Sequence, residues 1–260
     1  MPIRRNYFGV FLSILVALSR VNGQSYPLTS PVAAPHVSHQ LFEMTNRSRA
    51  DAGVKPLSWD TALEDAAQRH CARMASEIPV LHRYDGESDL ATRVAAGGGH
   101  FSLVEENLAV GRNAEAIHNA WLNSPGHRKN LLNGSVDRVG IAVIGYQGLF
   151  FAVADYIQAV QFLKPSDVEA AFAKLLSTKQ IMISSETADA RVYCASSGRY
   201  QGSFPATLAI RWENPDVTQL PPELLEALAN GRYRHASLGS CPVQKANGNF
   251  TSYRVGVLLY

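Results

Sequence analysis

Net charge is in short supply in this chain. Its 24 Lys and Arg stand against 22 Asp and Glu, leaving a formal charge of +2 over 260 residues. That balance exerts no strong pull on nucleic acid, and the sequence has neither a dense basic patch nor a recognition-helix signature. Cysteine is scarce as well, at 3 residues, which excludes a disulfide-dense miniature fold. There is no internal repeat. No stretch, the one apolar run near the start included, is long enough to cross a bilayer. The signatures of common hydrolases are also missing. There is no His-Glu-x-x-His helix with a separate Glu as general base, and no Gly-x-Ser-x-Gly elbow. What is present, 46% hydrophobic and 18% charged residues, suits a globular chain with one large or two small cores.

The N-terminus has the form of a targeting segment. Arg4 and Arg5 make a positive start, and Tyr7 to Leu18 is apolar but too short to span a membrane. Val21-Asn22-Gly23 offers a cleavage site before Gln24. Residues 1–23 are therefore expected to be a signal peptide, and the mature protein to be secreted or periplasmic with no membrane span. Residues 24–35, with three prolines, two serines and a threonine, read as an extended linker. Export permits cysteine pairing. Cys71 falls inside a helical pattern and reads as a small buried apolar residue, while Cys194 and Cys241 are expected to bond each other.

Along the chain, residues 36–52 show helical periodicity that stops at Gly53. A second helix, capped by Asp60 or Ser58, runs to about Ser76 with Leu63, Ala67, His70 and Met74 inward. His70 there reads as a satisfied core histidine. Residues 77–101 have no strong period and read as loop, with a short helix over 88–96. Residues 114–123 form an amphipathic helix with Ile117, Ala120 and Trp121 on one stripe, which leaves His118 facing solvent. Ser124 is a good N-cap and Pro125 suits the first position of the next helix, an arrangement that would aim His127. Residues 137–146 alternate Val139, Ile141 and Val143 against Gly140, Ala142 and Ile144, as a strand does. Gln147-Gly148 signals a hairpin, and residues 149–158 return as its partner. Composition changes near Phe162. Helices over 168–176 and 222–229, a third helix or irregular approach over 186–194, and strands over 206–213, 233–240 and 253–260 indicate a small α+β unit. That unit, 163–260, would be stapled by Cys194–Cys241 because it is short of core.

Asn46, Arg49, Gly53, Pro56-Leu57, Trp59-Asp60, Leu63 and Ala67 resemble the opening helices of the CAP superfamily, which groups cysteine-rich secretory proteins, antigen 5 and pathogenesis-related 1 proteins. The similarity continues through His82, Glu106-Asn107-Leu108-Ala109, Trp121, Ser124-Pro125-Gly126-His127-Arg128 and Val139-Gly140-Ile141. It covers residues 36–158, and the Ser-Pro-Gly-His-Arg form resembles the bacterial branch. The resemblance implies an α+β fold, a three-layer α-β-α sandwich, over 36–162, followed by the small α+β domain of 163–260.

In that family two His and two Glu often line a cleft and can hold a divalent metal. By motif, His82, Glu106 and His127 correspond to three of the four, and Ser124 stands where the second Glu would be. A cleft of His82, Glu106, His127 and Ser124 follows, in which the first three could hold zinc or another divalent metal with an open position. Glu105, in place of the family's Gly, reads as solvated. Three functions are weighed. One is an exported, non-enzymatic binding module whose ligand could be a lipid, a cell-wall component, a small molecule or a protein. Another is a hydrolase in which His82, Glu106 and His127 activate a metal-bound water. The last is a cell-envelope interaction protein acting through 163–260. No catalytic residue is identified, because the chain shows neither an activated nucleophile nor a general base.

Overall fold

The computed structural model describes residues 30–77, 79–203, 206–242 and 249–260. The expected signal peptide, 1–23, and the first half of the linker lie outside the described residues. Within the linker's second half, Val32–Ala33 forms a two-residue strand, β1. Helix α1 (Pro35–Asp51) follows, then a short strand β2 (Ser58–Trp59) and helix α2 (Thr61–Ser76). Asp60 caps α2, its carboxylate accepting from the amides of Ala62 and Leu63. A loop and the short helix α3 (Leu90–Ala96) lead into β3 (Phe101–Gly111). Helices α4 (Ala114–Asn123) and α5 (Pro125–Leu131) come next, then the hairpin β4 (Arg138–Tyr146) and β5 (Leu149–Ala159). Gln147 and Gly148, with φ of 51° and 76°, close that hairpin. Positive φ at both central residues lets a two-residue turn follow the twist of its strands.

The first sheet runs β1-β4-β5-β3, with β2 also on β4. Both of its faces are covered, and period-two alternation assigns each face. Val139, Ile141 and Val143 pack with Val37 and Leu41 of α1, Ile117 and Trp121 of α4 and Leu131 of α5. Ala142 and Ile144 pack with Ala67, Cys71 and Met74 of α2. At Gly140 the helix rests on the sheet itself: a Cβ there would come 2.1 Å from the amide nitrogen of Glu64. The result is an α+β three-layer sandwich, α1, α4 and α5 on one face and α2 with α3 on the other.

Helix α4 is turned further than its apolar stripe indicates. His118 is buried and Ala120 is exposed. The His118 ring lies against α1, with Nε2 3.3 Å from Ser48 Oγ. Arg49 is also fully buried; its guanidinium donates to the carbonyls of Lys55, Leu131, Asn133 and Val136 and so binds α1 to the segment after α5.

The remaining chain builds a second sheet, β6-β8-β9-β7, from β6 (Met182–Ile183), β7 (Leu208–Asn214), β8 (His235–Cys241) and β9 (Tyr253–Leu259). Helices α6 (Pro165–Ser177) and α8 (Pro222–Ala229) share a core with one face, through Phe172, Leu176, Leu224, Leu238 and Val257. Helix α7 (Ala188–Ala195) lies on the other face, over Gly239 and Gly256. Cys194, near the end of α7, is disulfide-bonded to Cys241, the last residue of β8. The two sheets meet at a narrow seam. The Thr251 amide donates to the Phe101 carbonyl at 2.7 Å, and the Phe250 ring stands edge-on to Phe101 at 5.2 Å.

Candidate functional site

Strand β3 supplies the middle of the site. Its alternation sends Glu106 to the α2 face and Glu105 and Asn107 to the α5 face. Glu106 is buried, and each of its oxygens has a partner: Oε1 lies 2.8 Å from Nδ1 of His82, and Oε2 accepts from Arg93 of α3. Arg93 also donates to the carbonyls of His82 and Ser88, which ties the loop to the carboxylate it faces. The His82 side chain remains 61% exposed, so the ring edge turned from Glu106 is open to solvent.

Behind this pair the polar network continues inward. His70 is fully buried on α2, with Nδ1 2.8 Å from Glu87 Oε1 and Nε2 3.1 Å from the Leu81 carbonyl. It is a satisfied core histidine. Burial pushes the Glu87 carboxyl upward, but the Tyr84 amide and the His70 ring outweigh it and hold the group below its usual value. Asp155 of β5 sits opposite Glu106 in the strand register. It is fully buried, and burial first, then the Glu106 charge, pushes its carboxyl well above the usual carboxylate range. A carboxyl that keeps its proton can donate to Glu106, which resolves the contact between two acidic groups.

On the other face, Asn107 donates to the His127 carbonyl at 2.9 Å, and Asn130 donates to the Glu106 carbonyl and to Asn107 Oδ1. These bonds fix α5 against β3. Glu105 is half-buried and takes the Asn133 amide on both oxygens, at 3.1 and 3.0 Å, so the expectation that it is solvated is corrected. The His127 ring is half-buried; burial first, and the His82 ring second, lower its pKa below the usual histidine value. His82 and His127 are thus neighbours electrostatically. Among the described residues, however, no hydrogen bond joins the His127 ring to Glu106. Ser124 occupies the N-cap position of α5, but its side chain makes no capping bond; its carbonyl accepts from the Arg128 amide.

The groups that sequence reasoning missed are Arg93, Glu87 and Asp155. Arg93 and Glu87 lie in a stretch without periodicity. Asp155 had a readable signal, since the alternation of 149–158 places it on the same face as Phe151 and Val153. These groups decide whether the site suits a metal. The Arg93 guanidinium holds one Glu106 oxygen and the His82 ring holds the other. Among the described residues no three His, Cys, Asp or Glu side chains gather in a way that could hold a metal ion. The donor set as arranged does not fit a divalent ion.

Residues 42–156 match the family model described as the cysteine-rich secretory protein family, CAP. Among curated proteins, the chain is 27% identical over 117 residues to YkwD of Bacillus subtilis, an uncharacterized protein; the match covers 45% of this chain and 46% of that one. It is 31% identical over 105 residues to YlbC of the same organism, an uncharacterized membrane protein, covering 40% of this chain and 30% of YlbC. The chain therefore spans less than half the length of either relative. Among solved structures, an extracellular protein of Bacillus anthracis that contains an SCP domain is 30% identical, with a TM-score of 0.44, over 48% of this chain and 41% of that one.

Proposed function

We propose that the chain, whose residues 42–156 match the cysteine-rich secretory protein family model, CAP, is an exported, non-enzymatic binding module that takes its ligand at the cleft of His82, Glu106 and His127. One observation carries the reading. Both oxygens of Glu106 are satisfied by the protein's own Arg93 and His82, while the outer edge of His82 stays open. A carboxylate engaged in this way positions an imidazole and is not free to activate water. Beside it, His127 is half-buried with its pKa lowered, which favours a neutral ring able to give or take one hydrogen bond. Together they suit a ligand that presents a hydroxyl, carbonyl or amide, as cell-wall fragments, lipid headgroups and proteins all do. Export is supported by the basic and apolar segment at residues 4–18 and by the Cys194–Cys241 bond.

The test is a calorimetric and thermal-shift screen of cell-wall fragments, lipids and proteins against the full chain and its His82→Ala and His127→Ala variants. The expected result is a ligand recovered unchanged, whose affinity falls about tenfold in a His82→Ala variant that remains folded, the upper scale of one lost hydrogen bond. Chemical conversion of the ligand by the parent but not by His82→Ala would overturn the reading. Zinc titration is the companion measurement. Parent, His82→Ala and His127→Ala are expected to take up zinc equally weakly, because Arg93 and not a metal neutralises Glu106.

A further inference from the structure

A cavity lies away from these side chains, where the chain passes from the first sheet to the second. It measures about 340 Å³, within the range of small-molecule sites. Its walls are mainly apolar, from Phe162, Leu163, Pro165, Val168 and Pro242. The ring of His100, 5.2 Å from that of Phe162, forms part of the lining. Two features give it a chemical preference. Lys164 and His100 line it, but no carboxylate does among the described residues. Tyr253, another lining residue, is only 8% exposed, and its hydroxyl has no hydrogen-bond partner among the described residues. A buried hydroxyl without a partner loses its bond to water and gains nothing in exchange, at a cost comparable to a broken hydrogen bond. Burial also raises the Tyr253 pKa, so the group is a donor at neutral pH.

We infer that this cavity binds a small amphipathic anion, an aliphatic or aromatic carboxylate, whose apolar body lies against Phe162, Leu163, Pro165 and Val168 while its acidic group meets Lys164 and the Tyr253 hydroxyl. The apolar walls supply the non-directional part of the affinity. Lys164 selects the sign of the charge, and Tyr253 gives the bond that its own hydroxyl lacks. The inference does not rest on the His82 cleft. It gives the junction between the two halves of the chain a ligand-holding role of its own.

Octanoate is the probe, with octanol and octylammonium as its neutral and cationic counterparts. Each is titrated into the full, disulfide-bonded chain and followed by calorimetry and by the amide resonances of Leu163, Lys164, Thr251 and Ser252. Octanoate is expected to bind once, about tenfold tighter than either counterpart, and to move those resonances. Lys164→Gln should abolish the preference for octanoate over octanol. Tyr253→Phe should weaken octanoate about fivefold while leaving Tm at or above that of the parent, since the deleted hydroxyl bonds to no described residue. His82→Ala should leave octanoate affinity unchanged, which separates this site from the first. Absence of octanoate binding, equal affinity for all three probes, or unchanged octanoate affinity in both Lys164→Gln and Tyr253→Phe would overturn the inference.

Discussion

Two buried side chains show how far surroundings move a residue from its ordinary chemistry. Cys71 is fully enclosed between α2 and the first sheet, and burial pushes its thiol up to about 12. The thiolate is the reactive form. Cys71 is therefore expected to resist iodoacetamide at pH 8 in the folded protein and to be fully labelled in urea, as mass spectrometry would show. His118 behaves in the opposite sense. Burial first, and Arg47 second, lower its pKa. The unfolded chain then binds a proton more readily than the folded one. The stability contributed by neutral His118 is complete above its unfolded value of about 6.5 and is lost as pH falls below it. His118→Gln should flatten that part of the profile, so the gap in urea midpoint between variant and parent should change between pH 7.5 and pH 5. A gap that stays constant over that range would show that this ring is not the titrating group.

At the scale of elements, what a sequence pattern reveals depends on where a segment's partners lie. The β4–β5 hairpin is legible because its own residues alternate and its turn carries Gln147-Gly148. Helices α2, α4 and α8 are legible for the same local reason. Strand β3 is not, although at 11 residues it is as long as any strand described. Its Glu105-Glu106-Asn107 run carries no apolar alternation, and its polar groups are satisfied by Asn133, Arg93, His82 and Asn130, which arrive from elsewhere. The site shares that limit. His82, Glu106 and His127 could be placed through a motif resemblance, whereas the roles of Arg93 and Asp155 follow only from which face each element turns inward. The contact of α2 with β4 is the most exacting of these packings, because Leu63 and Glu64 lie where a side chain at Gly140 would go. Gly140→Val is expected to cost ~2 kcal/mol or more, the scale of forced overpacking, with a matching drop in urea midpoint and a disturbed near-ultraviolet spectrum. A neutral outcome would mean that α2 can lift without loss.

At the scale of the whole molecule, the described residues form two sandwiches, each with helices on both faces of its sheet, joined by residues 160–164 and by a seam. None of the described helices is long and apolar enough to cross a membrane. At the seam Phe101 is fully buried, and Phe250, itself 46% exposed, packs on it from the other half. A chain ending at Phe162 would lose both that ring and the Thr251 amide. It is expected to unfold at lower urea than the first sheet does within the intact chain, and to bind a hydrophobic dye that the intact protein ignores. A Phe101→Ser change in the shortened chain should reduce the dye signal if the exposed ring is its source. Equal midpoints for short and intact chains would show that the seam adds nothing to the first sheet.

The narrowness of that seam has a consequence for engineering. Among the described residues an aromatic edge, the amide and hydroxyl of Thr251 and the Asn249 side chain tether the tail to its neighbour, so a different tail could replace this one if it carried a ring and donors at matching positions. Fusion designs that keep the equivalents of Phe250 and Thr251 should tolerate unrelated cargo, and designs that omit them should inherit a sticky end.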